Sequence, residues 1–430
     1  MFFAYGLSLP LRGLYVFQPS AVILSDVVFL LLLWSWVGLR RWETSPTPFR
    51  LPECAFLSLS VWPLLAPVFC SASFSINSVA RDIYLLAIFL FFRFASIDVN
   101  EKNAFIHGFL AGSVLTSLAG IFGVLLLSTL NINNPWAYAL ADYPYFDGFA
   151  RAVGLSLGPN MLANYLAIAL LLTTTKNHHV NFSRRETFLI RSVLLIGCIA
   201  TLSRSLFALL AAVAIPTIMF KRPKEQRLYF FLISVLTAVI AVYVSANLVL
   251  KTNNLSQLEQ IVPSNAQPLA SFTIWTNLNL EVFTTVYYQL KKTAVAIFLN
   301  NFICGIGSGD FLTYLTINSI SLNYPENFNF YNPHSTISGL LAERGIVGFA
   351  FCLVFVISLV RQANSSGKTT SELTFLWSVF IFLLLESINT DQLHFRHYFV
   401  FLAIYFQFQN YNTVKIAIDK ITEKKSKIQQ

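Results

Sequence analysis

The stretch HSTISGLLAERGIVGF, residues 334–349, opens on a histidine, carries Glu343 and Arg344 in its middle and then turns wholly apolar. The apolar run continues to Val360. Taken from residue 335 to 360, it is long enough at ~1.5 Å per residue to cross a hydrocarbon core of roughly 30 Å. Only 11% of the chain is charged, against roughly 25% in a soluble domain. Three polar groups at the mouth of a membrane helix in so apolar a chain therefore need a reason.

Ten more stretches read the same way: 21–39, 53–70, 82–97, 104–130, 159–174, 187–203, 205–220, 228–250, 373–389 and 397–411. Residues 1–14 either form a short twelfth span or lie along the interface. The expected fold is all-α: a polytopic integral membrane protein with 11–12 transmembrane helices and a long loop on one side. The start, MFFAYGLSLPLRGLYVF, lacks a basic first region and a small-residue cleavage site, so no cleaved signal peptide is expected. Cysteines stand at 54, 70, 198, 304 and 352 with no CxxC pair. They read as small buried hydrophobes, with no disulfide and no metal site expected.

Lys and Arg orient such a chain. With alternate loops assigned to alternate sides, one side holds 18 of them and the other 7, although the second owns the longest loop. The basic side is the cytoplasmic one. The net charge of +9 then reflects membrane orientation, not nucleic-acid binding, which needs a clustered soluble basic face. The chain divides into helices and the outer loop 131–158 within 1–250, a large outer loop 251–334, C-terminal helices 335–411 and a basic cytoplasmic tail 412–430. No internal repeat, P-loop or GxGxxG occurs.

Residues 186–220 lie between two basic clusters on the same side, so they must go out and return. Thirty-five residues give roughly 52 Å, less than two crossings of a ~30 Å core. The tip TLSRS, 201–205, should sit below the outer surface and carries Arg204. An arginine held there is either functional or snorkels to headgroups. GPNMLANYL puts Pro159 at a first helical position, with Asn160 and Asn164 on one face. The outward helix start suits an anion, and Arg151 is close enough in sequence to join it; capping and interhelical bonding would use the same residues. GIGSGDF, 305–311, reads as a tight glycine turn. Asp391, His394, Arg396 and His397 share a short outer loop, but HxxH without an acidic cluster is not read as a metal site. His334, at the outward start of its span, should keep a neutral ring able to act as a base, or else serve as an interfacial cap. Ser335 is the candidate cap of the helix. If His334 is itself helical, Ser338, Leu341, Gly345 and Gly348 fall on its face, with Glu343 nearly opposite.

Several segments together resemble one family. His334-Ser335, nine residues, then Gly345-x-x-Gly348 is similar to the signature of the O-antigen ligase and O-antigen polymerase superfamily. RAVGLSLGPNMLA, TLSRS and GIGSGDF, with Gly305 and Gly307, resemble its other segments in the same order. The likeness runs from about residue 20 to 411. It implies a membrane fold of the GT-C-like kind in a bacterial inner membrane, with the active site facing the periplasm. It also implies transfer of a glycan from an undecaprenyl-pyrophosphate donor, without nucleotide, metal or other cofactor.

By that resemblance His334 would deprotonate or orient the acceptor hydroxyl, and Arg204 would bind the donor pyrophosphate with Arg151 and Asn160 nearby. Glu343 and the glycines would pack the motif. One departure stands out: members carry an arginine in the long loop, whereas VYYQLKKTAVAIF, 286–298, has none. Lys291 or Lys292 would stand in as a point charge without a fork. The expected partners are the lipid-linked glycan, a glycolipid acceptor and membrane lipids. The ligase reading takes lipid A–core as acceptor. A polymerase using a second lipid-linked glycan, protein glycosylation, or a transporter of lipid-linked sugars are the alternatives; a transporter should show inverted repeats, which are absent here.

Overall fold

A computed structural model describes residues 1–17, 22–38, 51–70, 72–73, 75–95, 97–139, 149–174, 182–252, 270–277, 280–317, 333–365, 370–391 and 396–403. The helices are α1 (Phe2–Ser8), α2 (Leu24–Gly38), α3 (Leu51–Phe69), α4 (Ile76–Phe94), α5 (Val99–Leu130), α6 (Pro159–Thr174), α7 (Arg184–Ala200), α8 (Ser205–Met219), α9 (Lys224–Asn247), α10 (Val286–Asn300), α11 (Phe311–Ile317), α12 (Thr336–Ser365) and α13 (Thr370–Ser387). A last helix covers 396–403. Each of the eleven expected apolar stretches overlaps one of them. By length and composition α3, α5, α9 and α12 can each cross a membrane, while α2, α6, α8 and α13 are apolar but shorter. The protein is an all-α polytopic membrane protein.

Aromatic packing joins the bundle. Phe56 of α3 stacks on Phe355 of α12 and on Phe399 of the last helix, each at 5.0 Å between ring centres. Helix α1 is seven residues long, roughly 10 Å, so it cannot span by itself. It lies instead against α5, with Tyr5 wholly buried. A Cβ on Gly6 would come 2.9 Å from the Phe109 nitrogen, so the two backbones meet through small residues.

The strands are short and lie between helices. β1 (Tyr15–Phe17) pairs with β2 (Val22–Ile23), and β3 (Ala137–Ala139) pairs antiparallel with β4 (Ala150–Ala152), setting Tyr138 opposite Arg151. β5 (Leu248–Thr252), β6 (Ala270–Asn277) and β7 (Leu280–Thr285) form an antiparallel sheet of order β5-β7-β6 that leads from α9 into α10.

Two expectations are corrected. Cys70, just past α3, is disulfide-bonded to Cys304, just past α10. The pair is 234 residues apart in sequence, so no local spacing announces it; helix parity brings both to the end of the bundle that carries the long loop. Cys54, Cys198 and Cys352 are free. The second correction concerns α12. His334 is not helical (φ 47°), and Gly345 interrupts the helix at φ 62°, ψ −167°. No continuous face of small residues runs beneath the histidine.

The physical reason is a backbone exchange. The break at Gly345 frees the Ala342 and Glu343 carbonyls, which accept from Ile306 N (3.0 Å) and Gly307 N (2.9 Å). Beyond the break, Ile346 N donates to Phe302 O (2.8 Å) and Val347 N to Ile303 O (3.3 Å). A Cβ on Gly345 would strike the Ile303 carbonyl, and one on Gly305 the Glu343 backbone. Only glycine permits this approach, at positive φ on both sides.

Candidate active site

The charges at the mouth of α12 do different work from its histidine. Arg344 is buried and ion-paired to Asp82 of α4 at 2.6 Å. It also donates to Leu59 O (3.0 Å) and Ser308 Oγ (3.2 Å). The Glu343 carboxylate accepts from Gly309 N at 2.9 Å. Together they brace the turn 305–311 between α4 and α12. Gly307 abuts Ser73, and Gly348 lies against Arg344 and Trp62. Removing one partner of a buried pair is costly because the other charge is left uncompensated.

His334 sits two residues ahead of α12. Its left-handed backbone, a conformation that costs a non-glycine residue about 1–3 kcal/mol, is held by the two residues after it. The Ser335 hydroxyl caps the helix by accepting from Ser338 N (3.3 Å) and donates to Ser387 O (3.1 Å). Thr336 donates to Thr390 O through its nitrogen (3.2 Å) and its hydroxyl (2.9 Å). The His334 ring then stands edge-on to Tyr287 of α10, 4.8 Å between centres at 67°. On the same Tyr287 ring lies the Arg204 guanidinium, 5.8 Å from its centre. Burial pushes the His334 ring down to about 4, opposed by Asp391 and reinforced by Lys291.

Lys291 is one helical turn beyond Tyr287, so both lie on one face of α10. Its ammonium is buried and donates to Asn389 Oδ1 (2.6 Å) and Asn247 Oδ1 (3.1 Å), with the Tyr243 ring centre 5.4 Å away. Burial, and then the charge of Arg204, push it down to about 7. Lys292 is exposed, since successive residues of a helix point about 100° apart.

Arg151 and Asn160 reach the hairpin tip. Arg151 donates through Nε to Thr201 O (2.8 Å), with longer contacts through Nη2 to Leu202 O (3.5 Å) and Asn160 Oδ1 (3.4 Å). Asn160 Oδ1 also accepts from Ser203 Oγ at 3.1 Å. These two side chains clamp the tip that carries Arg204. Tyr287, Asn247 and Asn389 were missed in the sequence; the one available signal was the four-residue spacing of Tyr287 and Lys291. His397 is enclosed by the rings of Phe109, Tyr165 and Tyr398, and His394 lies outside the described residues.

Residues 189–353 match the family described as O-antigen ligase. This match supports the O-antigen ligase/polymerase superfamily. That segment contains Arg204, Tyr287, Lys291, the turn 305–311 and His334, so the O-antigen ligase match and the cluster around Tyr287 coincide. Arg151 and Asn160 precede it. No curated protein matches the chain. Members of the family are glycosyltransferase-like enzymes acting on lipid-linked glycans and glycolipids.

Proposed function

We propose that the protein transfers a glycan from an undecaprenyl-pyrophosphate donor to a hydroxyl of lipid A–core, at the periplasmic face of a bacterial inner membrane and without a metal. The observation that carries this reading is the placement of Arg204 and His334 against one tyrosine ring, with Lys291 a turn away. The diphosphate docks on Arg204 and Lys291. His334 accepts the proton of the acceptor hydroxyl as its oxygen bonds to the anomeric carbon. The bond from that carbon to the pyrophosphate oxygen breaks, and undecaprenyl pyrophosphate leaves with the electron pair, its charge stabilised by the two cations. Without donor, burial disfavours positive charge on both His334 and Lys291; a bound diphosphate restores it, so the ring becomes a better base when the donor is present. Purified protein in nanodiscs, given lipid-linked donor and lipid A–core, should form the adduct. Extension of a second lipid-linked glycan, with none on lipid A–core, would overturn the ligase reading.

The 18-to-7 basic asymmetry supports the orientation, as does the Cys70–Cys304 disulfide at the same end as the candidate site, since disulfides persist in the oxidising periplasm. In a background without free cysteines, a cysteine at position 265 should label in whole cells with a membrane-impermeant thiol reagent, and one at 366 should not. The reverse pattern would turn the orientation over and the mechanism with it.

The pH dependence comes from the two shifted groups. The kcat/KM profile reports the free enzyme. Lys291 loses its charge as pH rises through about 7, so kcat/KM should decline above that point. His334, already neutral above about 4, should impose no acid limb between pH 5 and 7. Lys291→Arg keeps the charge at all these pH values and should remove the alkaline decline. A decline that persists in a folded Lys291→Arg variant would exclude Lys291 as its source.

A further inference from the structure

Glu386, in the last turn of α13, is buried to 4% exposure, and the reaction above does not use it. A carboxyl in that position is costly and marks either function or interhelical packing. Its Oε2 accepts from Asn164 Nδ2 (3.2 Å) and Thr390 Oγ1 (3.4 Å), and the Ser205 hydroxyl hydrogen-bonds the same carboxyl. Ser205 is the residue after Arg204. Its hydroxyl is also 3.0 Å from that of Ser203, which donates to Asn160. Asn164 donates to Asn160 O at 2.7 Å and accepts from Tyr398. One carboxyl thus ties the α7–α8 tip to α6.

The chain leaving Glu386 reaches the other two functional groups. The Glu386 carbonyl accepts from Asn389 N (3.0 Å) and Thr390 N (2.8 Å), which closes the turn. Within that turn Asn389 holds Lys291, and the Thr390 carbonyl holds Thr336, two residues after His334. The tip arginine, the loop lysine and the histidine come from segments distant in sequence, yet Lys291 itself, Ser205 next to Arg204, and Ser335 and Thr336 just after His334 are all hydrogen-bonded to residues 386–390.

We infer that Glu386 is a positioning residue of the donor site: through Ser205 it sets the hairpin tip so that Arg204 faces the Tyr287 ring in register with Lys291. This rests on the proposed donor role of Arg204. The selectivity of the contacts distinguishes positioning from packing. A carboxyl that merely glued helices together would affect folding and both substrates alike. One that aims Arg204 affects the diphosphate alone, and an amide of the same shape can replace it.

The test uses the full-length protein in nanodiscs, with farnesyl pyrophosphate as the binding probe and donor and acceptor KM measured separately. Glu386→Ala should weaken probe binding about tenfold, the size of one lost hydrogen bond to a charged or buried group, and raise donor KM alike while acceptor KM stays put. Glu386→Gln should recover most of the binding. Ser205→Ala cuts the same link without disturbing α13 and should weaken the probe severalfold; it carries the test if Glu386→Ala does not fold. Wild-type probe affinity in Ser205→Ala and in folded Glu386→Ala overturns the inference, as does an equal rise in both KM values. Arg204→Ala separates the two levels. If it leaves probe binding unchanged, the donor-site reading itself fails; if it weakens binding while the Glu386 and Ser205 variants do not, only the role of Glu386 is lost.

Discussion

His334→Ala is expected to lower the rate of glycan transfer by about 10²–10⁴-fold, the range for loss of a positioned general base, while donor affinity changes little. The ring is held next to Tyr287 by a left-handed backbone and by the Ser335 and Thr336 contacts to α13. Those contacts use the backbone and the neighbouring hydroxyls, so truncating the imidazole leaves them in place and the variant should fold. A base must come within ~3 Å of its proton, directly or through a water, in the productive complex. Retention of more than about a tenth of the wild-type turnover in folded His334→Ala, where base loss should cost 10²-fold or more, would remove the histidine from the chemistry.

Arg204→Ala should act on the donor. Loss of a charge-assisted bond to a diphosphate, together with stabilisation of the leaving group, is expected to reduce kcat/KM by about 10²–10³-fold. Most of the affinity loss should appear as a higher donor Kd. Arg204→Lys should recover only part, because a point charge replaces a planar fork that can also lie on the Tyr287 ring. The tip is held by Arg151 through backbone carbonyls, so the arginine side chain can be removed without unmaking the turn. Equal donor affinity in wild type and Arg204→Ala would place the diphosphate elsewhere.

Much of this protein was legible in one dimension. Apolar runs of membrane length appear in any linear reading, because a helix in lipid satisfies its own backbone and needs only its own residues to be apolar. Hence α2 to α9, α12 and α13 fall where the apolar stretches predict. Short-range signals held too: Pro159 begins α6, and Ser335 caps α12. The candidate residues His334 and Arg204 stood out because polar groups are scarce in such a chain.

What stayed hidden is long-range. Lys291 and Lys292 are adjacent and chemically identical in sequence; the α10 face buries one and exposes the other. Gly345 reads as a packing glycine in a regular helix, yet the turn 301–307 intrudes and takes over the freed backbone bonds. Cys70 and Cys304 carry no local sign of pairing, since their partnership depends on which helix ends share a side. Glu386, Asn389 and Thr390 look like the polar fringe of one more span. Their contacts to Ser205, Lys291 and Thr336 exist only after three distant segments converge. Local propensity and hydropathy act along the chain and are written in it; hydrogen bonds between remote segments depend on helix packing angles and loop closures, which no single stretch encodes.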